Sequence, residues 1–116
     1  MPGVIKSFRL KDASNLYPIG SYQGQVRALH LDAFQEGIPG GTGRTFPWEL
    51  AVKAKVFSLP IILSGGLTPW NIRQAILKVR PYAVDVNSGI EQRPGEKDPG
   101  LMKQLMENIK GAHLND

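Results

Sequence analysis

Two aspartates and a set of glycine turns are the residues of this chain best suited to chemistry. Asp32 closes the run Val26-Arg27-Ala28-Leu29-His30-Leu31, and Asp85 sits inside Ala83-Val84-Asp85-Val86-Asn87. If both runs are strands, two-residue alternation places Asp32 on the face of Val26, Ala28 and His30, pointing inward at the strand end. A carboxyl there can act as a general acid or base, although a strand-end aspartate also serves simply to form a turn. Asp85 faces inward by the same alternation but deeper, and a carboxylate so placed calls for a partner. His30 could tune Asp32 or could be a hydrogen-bonded core histidine.

The glycines fall in Gly40-Gly41-Thr42-Gly43, Gly65-Gly66 and Ser88-Gly89. Small residues just after successive strands let backbone N–H groups approach an anion, and the short turn after the last strand can present a helix N-terminus to it. A phosphate would fit such a cradle. Taken singly, each pair could equally be what a tight turn demands.

The elements that must hold these residues alternate. Val4 to Leu10 reads as a strand, Ala13 to Gln25 as a weak helix broken by Pro18, Gly20 and Gly24, and Val26 to Leu31 as a second strand leading into a glycine-rich loop from Gln35 to Arg44. Thr45 with Pro47 and Glu49 signals a helix reaching about Ser58, and Leu59 to Leu63 is a short apolar strand of the kind buried on both faces. Thr68-Pro69 opens a helix whose apolar stripe is Ile72, Ala75, Ile76 and Val79; Ala83 to Asn87 is a fourth strand; and Asp98-Pro99 opens a last helix. That helix is expected to bury Leu101, Met102, Leu105, Met106 and Ile109 and to expose Lys103, Glu107 and Lys110. Such alternation means α/β architecture with parallel strands joined by right-handed crossovers. In such folds ligands bind at the C-terminal strand ends, where Asp32 and all three glycine turns lie.

Composition narrows the function classes. The chain has 116 residues, room for one domain, with 41% hydrophobic and 21% charged residues, as folded proteins have. No apolar run is long enough to span a bilayer and Met1 to Lys6 is no signal peptide, so a cytoplasmic protein without membrane contact is expected. With no cysteine and two separated histidines, His30 and His113, a structural metal is not expected. The net charge of +4 suggests an anionic partner. The basic residues form no dense stripe with interleaved aromatics, which argues against nucleic acid.

Read in series, Val4-Ile5-Lys6-Ser7-Phe8-Arg9, Leu31-Asp32-Ala33-Phe34, Gly40-Gly41-Thr42-Gly43-Arg44-Thr45-Phe46, Ile61-Ile62-Leu63-Ser64-Gly65-Gly66-Leu67 and Ala83-Val84-Asp85-Val86-Asn87-Ser88-Gly89-Ile90-Glu91 resemble phosphoribosylanthranilate isomerase from its fifth strand onward. The resemblance covers nearly the whole chain in order and spacing. It implies half of a TIM (βα)8 barrel, a single (βα)4 domain over residues 1–116. The implied activity is the cofactor-free Amadori rearrangement of N-(5′-phosphoribosyl)anthranilate in tryptophan biosynthesis. Asp32 matches the family's general acid. Gly65, Gly66, Ser88 and Gly89 match its phosphate cradle, Asp85 would help hold the sugar, and the loop around Gly41 would cover the site. Two positions depart from the family pattern: His30, where an apolar residue is usual, and Asn87, where serine is common.

The family's base is a cysteine on the first strand, and this sequence matches from the fifth. A phosphorylated sugar is therefore the expected ligand, and the chain alone is expected to bind phosphate weakly without turnover. Half a barrel leaves its edge strands and inner face uncovered, so a homodimer closing a pseudo-barrel, or a complementary N-terminal half, is the expected partner. The other readings are a non-catalytic phosphate-binding half-barrel and another phosphosugar barrel enzyme, such as an indoleglycerol-phosphate synthase relative.

Overall fold

Strand β1 (Ile5–Arg9), β2 (Ala28–Asp32), β3 (Ile61–Ser64) and β4 (Ala83–Asp85) lie parallel in one sheet in the order of the sequence. The computed structural model describes residues 4–33 and 48–114. Each strand is added beside the previous one without reversal, the order expected of parallel strands joined by right-handed crossovers. The helices α1 (Tyr17–Gly20), α2 (Trp48–Lys53), α3 (Ile72–Val79) and α4 (Pro99–Leu114) connect and follow these strands.

The sheet is consequently two-sided. On its helix face Leu29, Leu31 and Leu63 are fully buried, packed in one cluster with Ile19, Ala51, Ala54, Ile72, Ala75 and Val79. Each such leucine contributes roughly 1.5–3 kcal/mol of burial free energy. The alternate residues form the other, open face, where Ser7 and Arg9 are exposed and His30, Asp32 and Asp85 are half-buried. The apolar run of β3, expected to be covered on both sides, is covered fully on one: Ile61 and Leu63 are buried, Ile62 only partly.

Local signals account for most boundaries. The weak segment after β1 is a 3-10 turn, Ala13–Leu16, capped by Asp12, followed by the four-residue α1 with Pro18 in its first turn. The helix expected to reach Ser58 ends earlier as a regular helix: α2 stops at Lys53, a 3-10 turn runs over Ala54–Phe57, and Ser58 takes a left-handed φ of 57°. The expected start at Thr45, like the loop containing Gly41, lies outside the described residues.

One segment carries elements not anticipated, and one expectation needs correction. The segment after β4 is more ordered than a plain connection: a 3-10 turn over Ser88–Ile90 leads into an antiparallel hairpin of β5 (Glu91–Arg93) and β6 (Glu96–Lys97), turned at Pro94-Gly95. In α4, Leu105 and Ala112 are buried, whereas Met102 is 43% and Met106 54% exposed. Among the described residues, α3 is the helix packed against α4, so the stripe that α4 covers is narrower than its apolar pattern. Among the described residues no helix is long and apolar enough to cross a membrane.

Candidate functional site

Register brings four polar side chains into one row. Arg9 is paired with Asp32, Asp32 with Ser64, and Ser64 with Asp85, so one residue from the C-terminal end of each strand stands on the open face at the same level. Asp85 therefore lies level with Asp32, not deeper. Arg9 and Ser64 were not singled out from the sequence, because an arginine and a serine at strand ends carry no signal until the register is known.

Beyond this row the chain turns at two places that share a cleft of about 240 Å³ with it. Asp32, Ser64 and Asp85 line the cleft from the strand ends, Gly65, Gly66 and Leu67 from the turn after β3, and Asn87 and Ser88 from the turn after β4. Of the residues read from the sequence as site residues, Asp32, Asp85, Gly65, Gly66 and Ser88 thus come together. Gly65 and Gly66 have φ of 94° and 67°, a left-handed backbone that other residues adopt at a cost, and both line the cleft beyond the strand ends.

Gly89 has a different requirement. A Cβ on it would lie 1.9 Å from the Leu67 carbonyl oxygen and 3.0 Å from the Thr68 Cα, so the missing side chain is what lets the two turns touch.

Both turns are held by side chains that the sequence reading passed over. Asn71 donates through Nδ2 to the Gly66 carbonyl at 2.9 Å and accepts from the Thr68 N–H at 2.8 Å, while the Thr68 hydroxyl accepts from the Asn71 N–H at 3.2 Å. This reciprocal box closes the turn that leads into α3 and fixes the glycine turn in the same stroke. From α4, Asn108 Nδ2 donates to the Pro69 carbonyl at 2.6 Å. On the other turn, Lys97 Nζ donates to the Asn87 carbonyl at 3.1 Å and pairs with Glu91 Oε2 at 2.9 Å. The Lys97 hydrogen bond holds the Glu91 carboxyl below the usual glutamate range.

Asp85 has the partners its position calls for. His30 Nε2 lies 3.0 Å from Asp85 Oδ2, Asn87 Nδ2 donates to Oδ1 at 3.0 Å, and the other imidazole nitrogen, Nδ1, lies 2.9 Å from the Ser7 hydroxyl. His30 thus engages Ser7 and Asp85.

The cleft is bipolar, with carboxylates along the strand ends and backbone amides at the turns beyond them. An anion fits the turn end, where among the described residues no negative side chain lines the cleft, and hydroxyl donors fit the carboxylate end. A small molecule carrying a phosphate on a polyhydroxylated body has that polarity.

Comparison with known proteins gives the same direction. The family model described as N-(5'phosphoribosyl)anthranilate (PRA) isomerase matches residues 2–108. An N-(5'-phosphoribosyl)anthranilate isomerase of Geobacter sulfurreducens is 50% identical over 108 residues, covering 93% of this chain and 52% of the relative. Among solved structures, the phosphoribosyl anthranilate isomerase of Thermotoga maritima superposes with a TM-score of 0.78 at 38% identity, over 93% of this chain and 51% of that one. A phosphoribosyl anthranilate isomerase in complex with reduced 1-(o-carboxyphenylamino)-1-deoxyribulose 5-phosphate gives 0.75 at 35% identity, over 93% and 48%. The chain spans about half the length of the relatives it matches.

Proposed function

The chain belongs to the N-(5'-phosphoribosyl)anthranilate isomerase family, and from that premise we propose that it supplies the acid and phosphate half of the isomerase site. In this reading residues 1–116 form one (βα)4 half-barrel acting in the cytoplasm in tryptophan biosynthesis. The substrate is N-(5′-phosphoribosyl)anthranilate, the product 1-(2-carboxyphenylamino)-1-deoxyribulose 5-phosphate, and no cofactor takes part. What carries the reading is the shared cleft, in which Asp32 stands with the Gly65-Gly66 and Asn87-Ser88 turns.

Asp32 is the general acid. It protonates the ring oxygen of the furanose as the C1′–O bond breaks, giving an open-chain iminium whose C2′ proton is then acidic enough to be removed. The amides of Gly65, Gly66 and Ser88 hold the 5′-phosphate, with Gly89 letting their turns close on it, and Asp85 accepts a sugar hydroxyl. Proton removal at C2′ requires a base on the opposite side of the sugar. The 116 residues contain no cysteine to match the family's base, so a complementary set of βα units provides it.

Exposure at the two ends of the sheet supports such a complement. Val4, just before β1, is 45% and Ile5 on β1 51% exposed, and Met102 and Met106 are exposed on α4 at the other end. An N-terminal half that pairs with β1 and β4 would cover both; a second copy of this chain would do so as a closed homodimer.

The test is complementation. This chain mixed with the N-terminal half of a full-length relative is expected to turn over substrate, and Asp32→Asn to lower kcat by at least about 100-fold. Turnover unaffected by that substitution would refute Asp32 as the acid. Phosphate binding without turnover in every mixture would favour a non-catalytic phosphate-binding role.

A further inference from the structure

Asp85 is gripped on both carboxylate oxygens by side chains of its own chain, Oδ2 by His30 and Oδ1 by Asn87, each at 3.0 Å. The two residues come from different directions. Asn87 lies two positions further along the chain, whereas His30 stands on β2 and reaches across β3, a sideways span of roughly 10 Å for strands about 4.8 Å apart.

The hydrogen-bond pattern also fixes the ring. A carboxylate oxygen only accepts, so His30 Nε2 carries the proton and donates it to Asp85; in the neutral imidazole Nδ1 is then an acceptor, and the Ser7 hydroxyl at 2.9 Å donates to it. Asn87 is steadied in turn, because Lys97 Nζ donates to its carbonyl while pairing with Glu91. The arrangement resembles the outer contacts that orient metal or substrate ligands in other sites: none of these groups needs to touch a ligand, yet together they set where one carboxylate points. The side chains remain accessible, at 23% for His30 and 42% for Asp85, and Asp85 lines the cleft.

We propose that His30 and Asn87 are positioning residues that clamp Asp85 from two sides, so that its remaining lone pairs face a hydroxyl of a sugar phosphate whose phosphate sits at the Gly65-Gly66 turn. The ligand part rests on the proposed function; the clamp does not. The two contacts, from different elements, meet on one carboxylate. A leucine at position 30 would leave Oδ2 without its donor, and an alanine at position 87 would do the same to Oδ1.

Two measurements on the whole chain test this. Nitrogen-15 NMR of the imidazole is expected to show His30 as the Nε2–H tautomer, and Asp85→Asn to shift its Nε2 resonance; an Nδ1–H tautomer, or no response to Asp85→Asn, overturns the clamp. Binding of ribose 5-phosphate and of inorganic phosphate is then compared by calorimetry. His30→Leu is expected to weaken ribose 5-phosphate about five- to ten-fold while changing inorganic phosphate by less than about two-fold, and His30→Gln, which keeps a donor, to recover most of the loss. Equal losses for both probes would mark a general structural role and overturn the proposal, as would no loss for either. If neither probe binds the unaltered chain, the proposed function fails and takes the ligand part with it, while the tautomer still decides the clamp.

Discussion

The two faces of the sheet follow different rules although they are built from alternate residues of the same strands. On the helix face Leu29, Leu31, Ile61 and Leu63 are interchangeable in kind: each is at most 3% exposed, and each acts by filling volume. On the open face Ser7, Arg9, His30, Asp32, Ser64 and Asp85 are all polar and individually placed, and His30 and Asp85 bond to each other across an intervening strand. The contrast teaches that stability and function are separated here by side-chain parity. A one-residue slip of any strand would exchange them.

The sharpest way to break the contrast is to damage the helix face. Leu63→Ala is expected to cost about 2–5 kcal/mol in urea unfolding, because the site is fully buried and the surrounding helices cannot close the cavity completely. Next in size is Gly89→Ala. A methyl 1.9 Å from the Leu67 carbonyl must push the two turns apart, and we expect a loss of about 1–3 kcal/mol together with loss of phosphate binding by calorimetry.

Open-face substitutions should behave in the opposite manner. Ser7→Ala removes one hydrogen bond at an exposed position and should change unfolding free energy by no more than about 0.5–1.5 kcal/mol. A loss as large as that of Leu63→Ala would show that the open face also carries the fold.

The smallest effect concerns pH. The Glu91 carboxyl is held below its ordinary value by the Lys97 hydrogen bond, so its folded-state pKa lies beneath the unfolded one. Its contribution is therefore complete above the unfolded value near about 4.3 and is lost as pH falls through the folded value. Glu91→Gln should lower Tm slightly at pH 7, and the difference should close as melts are run at decreasing pH below about 4.

Much of this was legible from local pattern. The alternation of elements, the inward parity of Asp32 and Asp85, and the glycine turns after β3 and β4 all follow from spacing within about ten residues. What stayed hidden depends on register or on distance along the chain. The His30–Asp85 pair joins residues 55 positions apart, and the level of Asp85 beside Asp32 emerges only once Ser64 is seen paired with both. Gly89 read as a turn former because nothing nearby announces the Leu67 carbonyl behind it. Asn71 did carry a signal, since Thr68-Pro69-Trp70-Asn71 is a capping box with asparagine in place of the usual glutamate or glutamine. The hairpin after β4 was marked as well, by Pro94-Gly95, with Gly95 at a φ of 80°. Met102 and Met106 misled because helical periodicity reports which side of a helix is apolar, not how many neighbours are present to cover it.

The central claim is that one acid and two turns serve a single phosphosugar, and amide chemical shifts during titration with ribose 5-phosphate test it most directly. The account predicts that Gly65, Gly66, Ser88 and Asp32 move together along one saturable isotherm, with Asp32→Asn leaving the turn amides responsive. Non-saturating shifts spread over the surface lysines, with the Gly65 and Ser88 amides unmoved, would contradict it.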